Sequence, residues 1–136
     1  MKLRLLLGYQ VLTGFSDGST GLLLLFAPAL TLRLMGLHVA AEALPFLSYI
    51  GAFVLSVGIA CLYGASLVGR HGVAAKLEVV WLLTAITRGL VAVFVVTQIV
   101  AGRLEGGWIT VAFSDGGLAL LQAFGLARRW LSDVRG

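Results

Sequence analysis

Cysteine, histidine and proline are scarce in this chain, with one, two and two copies among 136 residues. A single thiol, Cys61, forms no internal disulfide, and no Cys/His group has metal-site spacing. His38 and His71 fall in loops expected on opposite sides of a membrane, which excludes a shared haem. Charge is scarce too. Asp, Glu, Lys and Arg make up 12% and hydrophobic residues 60%, against about 25% and about 45–50% in soluble domains. The mean hydropathy is +1.02. A short chain buries only part of its surface, so this composition excludes a water-soluble enzyme, a disordered tail and a nucleic-acid module. The pI near 9.8 reflects ten scattered bases giving a net +4 rather than a basic face. The length is that of one domain, residues 1–136.

What the chain has is long apolar runs. A helix needs about 20 mainly apolar residues to cross the hydrocarbon core. Four stretches qualify: about 5–30, 45–68, 78–101 and 108–127. Alternating ten-residue segments, the mark of a membrane β-barrel, are absent. The expected fold class is therefore all-α, a polytopic membrane protein forming a four-transmembrane-helix bundle. Pro45 suits the first turn of the second helix, where its missing N–H costs nothing. Gly69 and Gly102 suit helix ends. Pro28 predicts a kink or stop late in the first span. Beyond it, Ala29–Leu37 reads either as a short interfacial helix carrying Arg33 or as the last turns of a long tilted one.

The bases sort by side. Lys2, Arg4, Arg70, Lys76, Arg128, Arg129 and Arg135 fall on one side, Arg33 and Arg103 on the other, with Arg88 inside the third span. Seven against two places both termini in the cytoplasm and argues against a dual-topology dimer. The opening Met-Lys-Leu-Arg resembles a signal-peptide n-region. Gln10, Ser16 and Asp17 make the following segment too polar for an h-region, so an uncleaved first helix is expected. With no organellar targeting pattern, a bacterial cytoplasmic (inner) membrane is the simplest home.

Asp17, Arg88 and Asp115 each fall near the middle of a span. An ionised side chain there costs about 2.5–3.5 kcal/mol on insertion scales. The expected remedy is mutual neutralisation, with Arg88 between the two aspartates in the bundle interior. Polar or aromatic stripes support it: Gln10, Thr13, Asp17 and Thr20 on the first helix, Tyr49, Ser56 and Tyr63 on the second, Glu78, Trp81, Thr84 and Arg88 on the third, and Trp108, Asp115 and Gln122 on the fourth. Four converging stripes predict a polar core.

There is also an internal echo. Phe15-Ser16-Asp17-Gly18 matches Phe113-Ser114-Asp115-Gly116, and in the same register Gly8 aligns with Gly106 and Phe26 with Phe124. Coincidence and an inverted pseudo-two-fold pairing are both open. In the second case Gly14, Gly18 and Gly21 would meet Gly116 and Gly117. The charge cluster likewise has two readings, an architectural one that fixes helix register and a functional one as a proton or ion site or headgroup anchor. Arg128, Arg129 and Trp130 suit a grip on anionic lipid, and equally a stop-transfer flank. Tyr9, Trp81, Trp108 and Trp130 suit interface belts, and Cys61 a small buried hydrophobe.

Three further features carry a family resemblance. The first helix ends at Phe26-Ala27-Pro28 before a stretch closing in Leu34-Met35-Gly36-Leu37. The second is punctuated by Tyr49-Ile50-Gly51 and Val57-Gly58. The last two form a tight hairpin with Asp115 early in the fourth. In this plan the chain resembles the DoxX-like superfamily of small four-helix membrane proteins, some of which are subunits associated with quinone-linked oxidoreductases. Arg88 and the repeated Phe-Ser-Asp-Gly lie outside that pattern, and no catalytic residue carries over. The leading expectation is a non-catalytic accessory subunit of a larger membrane complex, because the loops are short and no redox or nucleophilic constellation is present. Two alternatives are a small oligomeric transporter coupled at Asp17 and Asp115, and a lipid- or quinone-binding protein. No covalent or metal cofactor motif occurs, so quinone or lipid is the ligand class considered. The partners expected are the bilayer and other membrane subunits or further copies of the chain.

Overall fold

The computed structural model describes residues 3–131, so Lys2 and Arg135 lie outside the described residues. The chain is all-α, with no strand among those residues. Helix α1 spans Leu3–Phe26, α2 Pro28–Leu34, α3 Leu44–Leu67, α4 Ala74–Val100 and α5 Ile109–Ala127. Single 3-10 turns, Ala41–Ala43 and Gly106–Trp108, lead into α3 and α5. Three helical stretches are long and apolar enough to cross a membrane: Ala41–Leu67, Ala74–Val100 and Gly106–Ala127. Helix α1 has the length but not the apolarity, because Gln10 to Thr20 is largely polar or glycine.

The helix boundaries follow local chemistry. Pro28 leaves Ala27 at φ −142°, outside the helical region, and itself opens α2. The stretch after Phe26 is thus a separate short helix, not the tail of a tilted one. It closes with Gly36 at φ +68°, where the Leu37 amide donates to the Leu32 carbonyl at 2.9 Å. Gly102, at φ +69°, ends α4 the same way, the Arg103 amide donating to Gln98 at 2.9 Å. Gly69, at φ +83°, follows α3. Helix α4 starts a turn before the expected Glu78, because Ala74 to Leu77 are good helix formers.

The chain divides into two compact units, the N-terminal one 4–66 and the C-terminal one running from Leu67, with Leu3 assigned to it. The N-terminal unit is a hairpin of α1 and α3 closed along a glycine seam. A Cβ added at Gly14 would lie 2.8 Å from Leu62 Cγ, and one added at Gly51 2.5 Å from the Leu25 nitrogen. Added Cβ atoms at Gly21 and Gly58 would strike the Leu55 and Gly18 backbones. The helices touch backbone to backbone, the arrangement small residues permit. These α1 glycines are engaged with α3 inside their own unit. In the C-terminal unit α4 and α5 pack at ordinary side-chain spacing where Gly116 faces Ala92 and Gly89 faces Ala119.

Candidate functional site

The C-terminal hairpin is held by a polar ladder. On α4 the buried residues Leu77, Trp81, Thr84, Arg88, Ala92 and Val95 recur at three- and four-residue steps and define one face. On α5 the buried face is Ala112, Ala119, Gln122 and Gly125, with Asp115 half-buried beside it. Arg88 is only 3% exposed, and its Nη1 donates to Asp115 Oδ1 at 2.9 Å. Two turns along, Gln122 Nε2 donates to Thr84 Oγ1 at 2.7 Å. The Thr84 hydroxyl in turn donates to the Val80 carbonyl at 2.8 Å. Both rungs place the two α5 groups seven residues apart and the two α4 groups four apart, so they lie on facing stripes. A charge-assisted bond at this depth replaces the hydration each ion gives up.

Below the second rung lies a residue that the sequence did not single out. A Cβ added at Gly125 would lie 2.6 Å from Trp81 Cζ3 and 2.8 Å from Trp130 Cε3. Gly125 is the slot into which the fully buried Trp81 fits. Trp130 folds back beside it because Arg129 adopts φ +55°, a left-handed conformation that ends α5 without a glycine. Trp130 meets the Phe124 ring edge-on at 5.4 Å, and the Arg128 guanidinium sits 5.1 Å over the same ring.

Within the C-terminal unit the structure pairs Arg88 with Asp115. Asp17 stands on α1, in the N-terminal unit, half-buried next to the glycine seam. The first-helix stripe is buried as expected at Gln10 and Thr13. The Thr13 hydroxyl donates to the Tyr9 carbonyl at 2.8 Å. The Gln10 amide, fully buried, has no side-chain hydrogen-bond partner among the described residues.

One expectation is corrected. Tyr49 and Tyr63 are 65% and 51% exposed, and Ser56 is exposed with its hydroxyl turned back to the Phe53 carbonyl. The α3 stripe therefore points outward. Its buried face is Leu47, Gly51, Gly58, Cys61, Gly64 and Leu67, because small residues admit the close approach of α1 and tyrosines would prevent it. Glu78 is exposed as well. It lies about 100° around the helix from Leu77, which takes the inner position. Trp108 is half-buried at the start of α5.

The repeated tetrapeptide occupies matching environments. Phe15 and Phe113 are exposed, Asp17 and Asp115 half-buried, Gly14 and Ala112 buried, and Gly21 and Ala119 buried. Each copy turns its small residues toward its own hairpin partner. The echo stops at Gly8 and Gly106: Gly8 lies within α1, whereas Gly106 opens the turn before α5. Among the described residues no three His, Cys, Asp or Glu gather at metal-binding distance. No family model, curated protein or solved structure matches the chain.

Proposed function

We propose that the protein is a non-catalytic accessory subunit of a larger membrane complex, of the quinone-linked respiratory kind that its DoxX-like plan suggests. The observation that carries this reading is the internal neutralisation of Arg88 by Asp115, with Gln122 and Thr84 bonded alongside. These groups hold α4 to α5, and a polar set consumed in holding helices together is architecture. The outward α3 stripe of Tyr49, Ser56 and Tyr63 adds hydrogen-bonding groups to a face that a neighbouring helix would satisfy.

In this reading α1 is a fourth span. Its 24 residues extend about 36 Å at about 1.5 Å per residue, enough for a core of about 30 Å. Of its polar residues Gln10 and Thr13 are buried and Asp17, Ser19 and Thr20 half-buried, and both termini lie in the cytoplasm of a bacterium by the seven-to-two distribution of bases. Extraction of the tagged protein from native membranes in mild detergent tests the proposal. A reproducible, stoichiometric set of larger partners is expected. A homogeneous oligomer of this chain alone, at normal abundance, refutes it.

A second reading has one observation in its favour. Asp17 and Asp115 occupy the same burial register in two copies of one motif, as paired coupling sites in a small transporter would. Asp17→Asn would then abolish ion flux in proteoliposomes while leaving insertion intact. Unchanged flux removes that reading.

A further inference from the structure

We propose that the end of the C-terminal unit where α4 begins and α5 finishes binds a phosphate-bearing anion, in the form of an anionic lipid headgroup. A cleft of about 460 Å³ opens there, within the range of small-ligand sites. Its apolar part is Leu67, Leu77 and Leu131, all buried. Its polar part is the loop carrying Arg70 and His71, both exposed. Gly69 and Gly72, at φ +83° and +73°, let that short loop turn tightly enough to leave the cleft open.

Bases outnumber acids at this end. Residues 67–78 and 127–133 contain Arg70, Lys76, Arg128 and Arg129, with His71, against Glu78 and Asp133. Glu78 is exposed on α4 and does not line the cleft. The remaining loops mix signs, Arg33 with Glu42 and Arg103 with Glu105. An anion entering the cleft would meet Arg70 and His71, the polar residues that line it. Arg128 is held over the Phe124 ring, and Trp130 stands edge-on to that ring. An interfacial tryptophan next to clustered bases sits at headgroup depth.

The apolar floor decides between sources of phosphate. A free phosphate needs only the bases. A lipid also brings glycerol and acyl carbons, which Leu67, Leu77 and Leu131 would cover. Scattered stop-transfer charges would make no cleft and show no preference among bases.

Native mass spectrometry of the full chain in mild detergent tests this, with dioleoyl phosphatidylglycerol, dioleoyl phosphatidylcholine and inorganic phosphate as probes. One saturable phosphatidylglycerol per chain is expected, with phosphatidylcholine binding far more weakly. Arg70→Ala and Arg128→Ala should each weaken it about fivefold, the equivalent of about 1 kcal/mol per base at a membrane surface. Arg70→Lys should keep most of the affinity, and Arg103→Ala all of it. Circular dichroism on each variant confirms that the helices persist. Equal binding of the two lipids, or an equal loss in Arg103→Ala, overturns the proposal. Binding of inorganic phosphate without lipid preference keeps the anion site and overturns the lipid as its occupant.

Discussion

Gly18 and Gly58 meet each other in the α1–α3 seam, yet the two positions should respond oppositely to alanine. A Cβ at Gly58 would strike the Gly18 nitrogen and lie 2.8 Å from its Cα, whereas a Cβ at Gly18 meets nothing within 4 Å. Gly18 lends its backbone to the contact, and its missing side chain points into open space. Because the obstacle at Gly58 is main chain, no rotamer change relieves it. Overpacking of this kind costs about 3 kcal/mol at the upper end of its usual range. Alanine recovers about 1 kcal/mol of helix propensity at either site. Gly58→Ala should therefore destabilise by about 2 kcal/mol and Gly18→Ala stabilise by about 1 kcal/mol, a gap of roughly two decades in the unfolding constant. Reversible titration from mild detergent into dodecyl sulfate, followed by circular dichroism, measures both variants side by side. Equal effects, or the reverse order, would refute the placement of the seam.

The charge pair and the tryptophan slot give two further predictions. Arg88→Met and Asp115→Leu should each cost about 3–5 kcal/mol in the same titration by stranding the partner's charge, and the double variant should lose clearly less than their sum; additive losses would show that the two residues are not coupled. Gly125→Ala should cost about 1–3 kcal/mol and shift tryptophan emission as Trp81 and Trp130 move, while Gly117→Ala, whose Cβ meets nothing within 4 Å, should change neither; a silent Gly125→Ala would remove Trp81 from the slot.

Much of the helical layout was legible because it rests on local rules. Pro28, Gly69 and Gly102 act through backbone torsions that need no tertiary context. The Trp81–Thr84–Arg88 stripe was legible because polar groups in an apolar helix have few places to go. The face of α3 was not. Tyr49, Ser56 and Tyr63 recur with helical period, but a period identifies a face without saying whether it looks in or out. In a chain meant for lipid, apolarity no longer marks the inside, and on α3 the small residues do. The end of α5 was hidden for a related reason. Arg129 takes a left-handed conformation without being glycine, so the fold-back of Trp130 onto Gly125 left no local mark.

The glycine seam sets a register as well as a distance. Gly58 opposes Gly18, and Gly51 opposes Leu25. A slide of α3 along α1 by one turn, about 5.4 Å, would bring Gly58 to Gly14 and Gly51 to Gly21. The same slide would carry Leu62 and Leu55, which now face Gly14 and Gly21, onto Gln10 and Asp17. Two leucines would lose the gaps that admit them, so the seam works as a key with one seating. The connector agrees with it: Pro28 fixes the exit from α1, and the bond from Leu37 to Leu32, both leucines buried, folds the chain after α2 into a tether of set length.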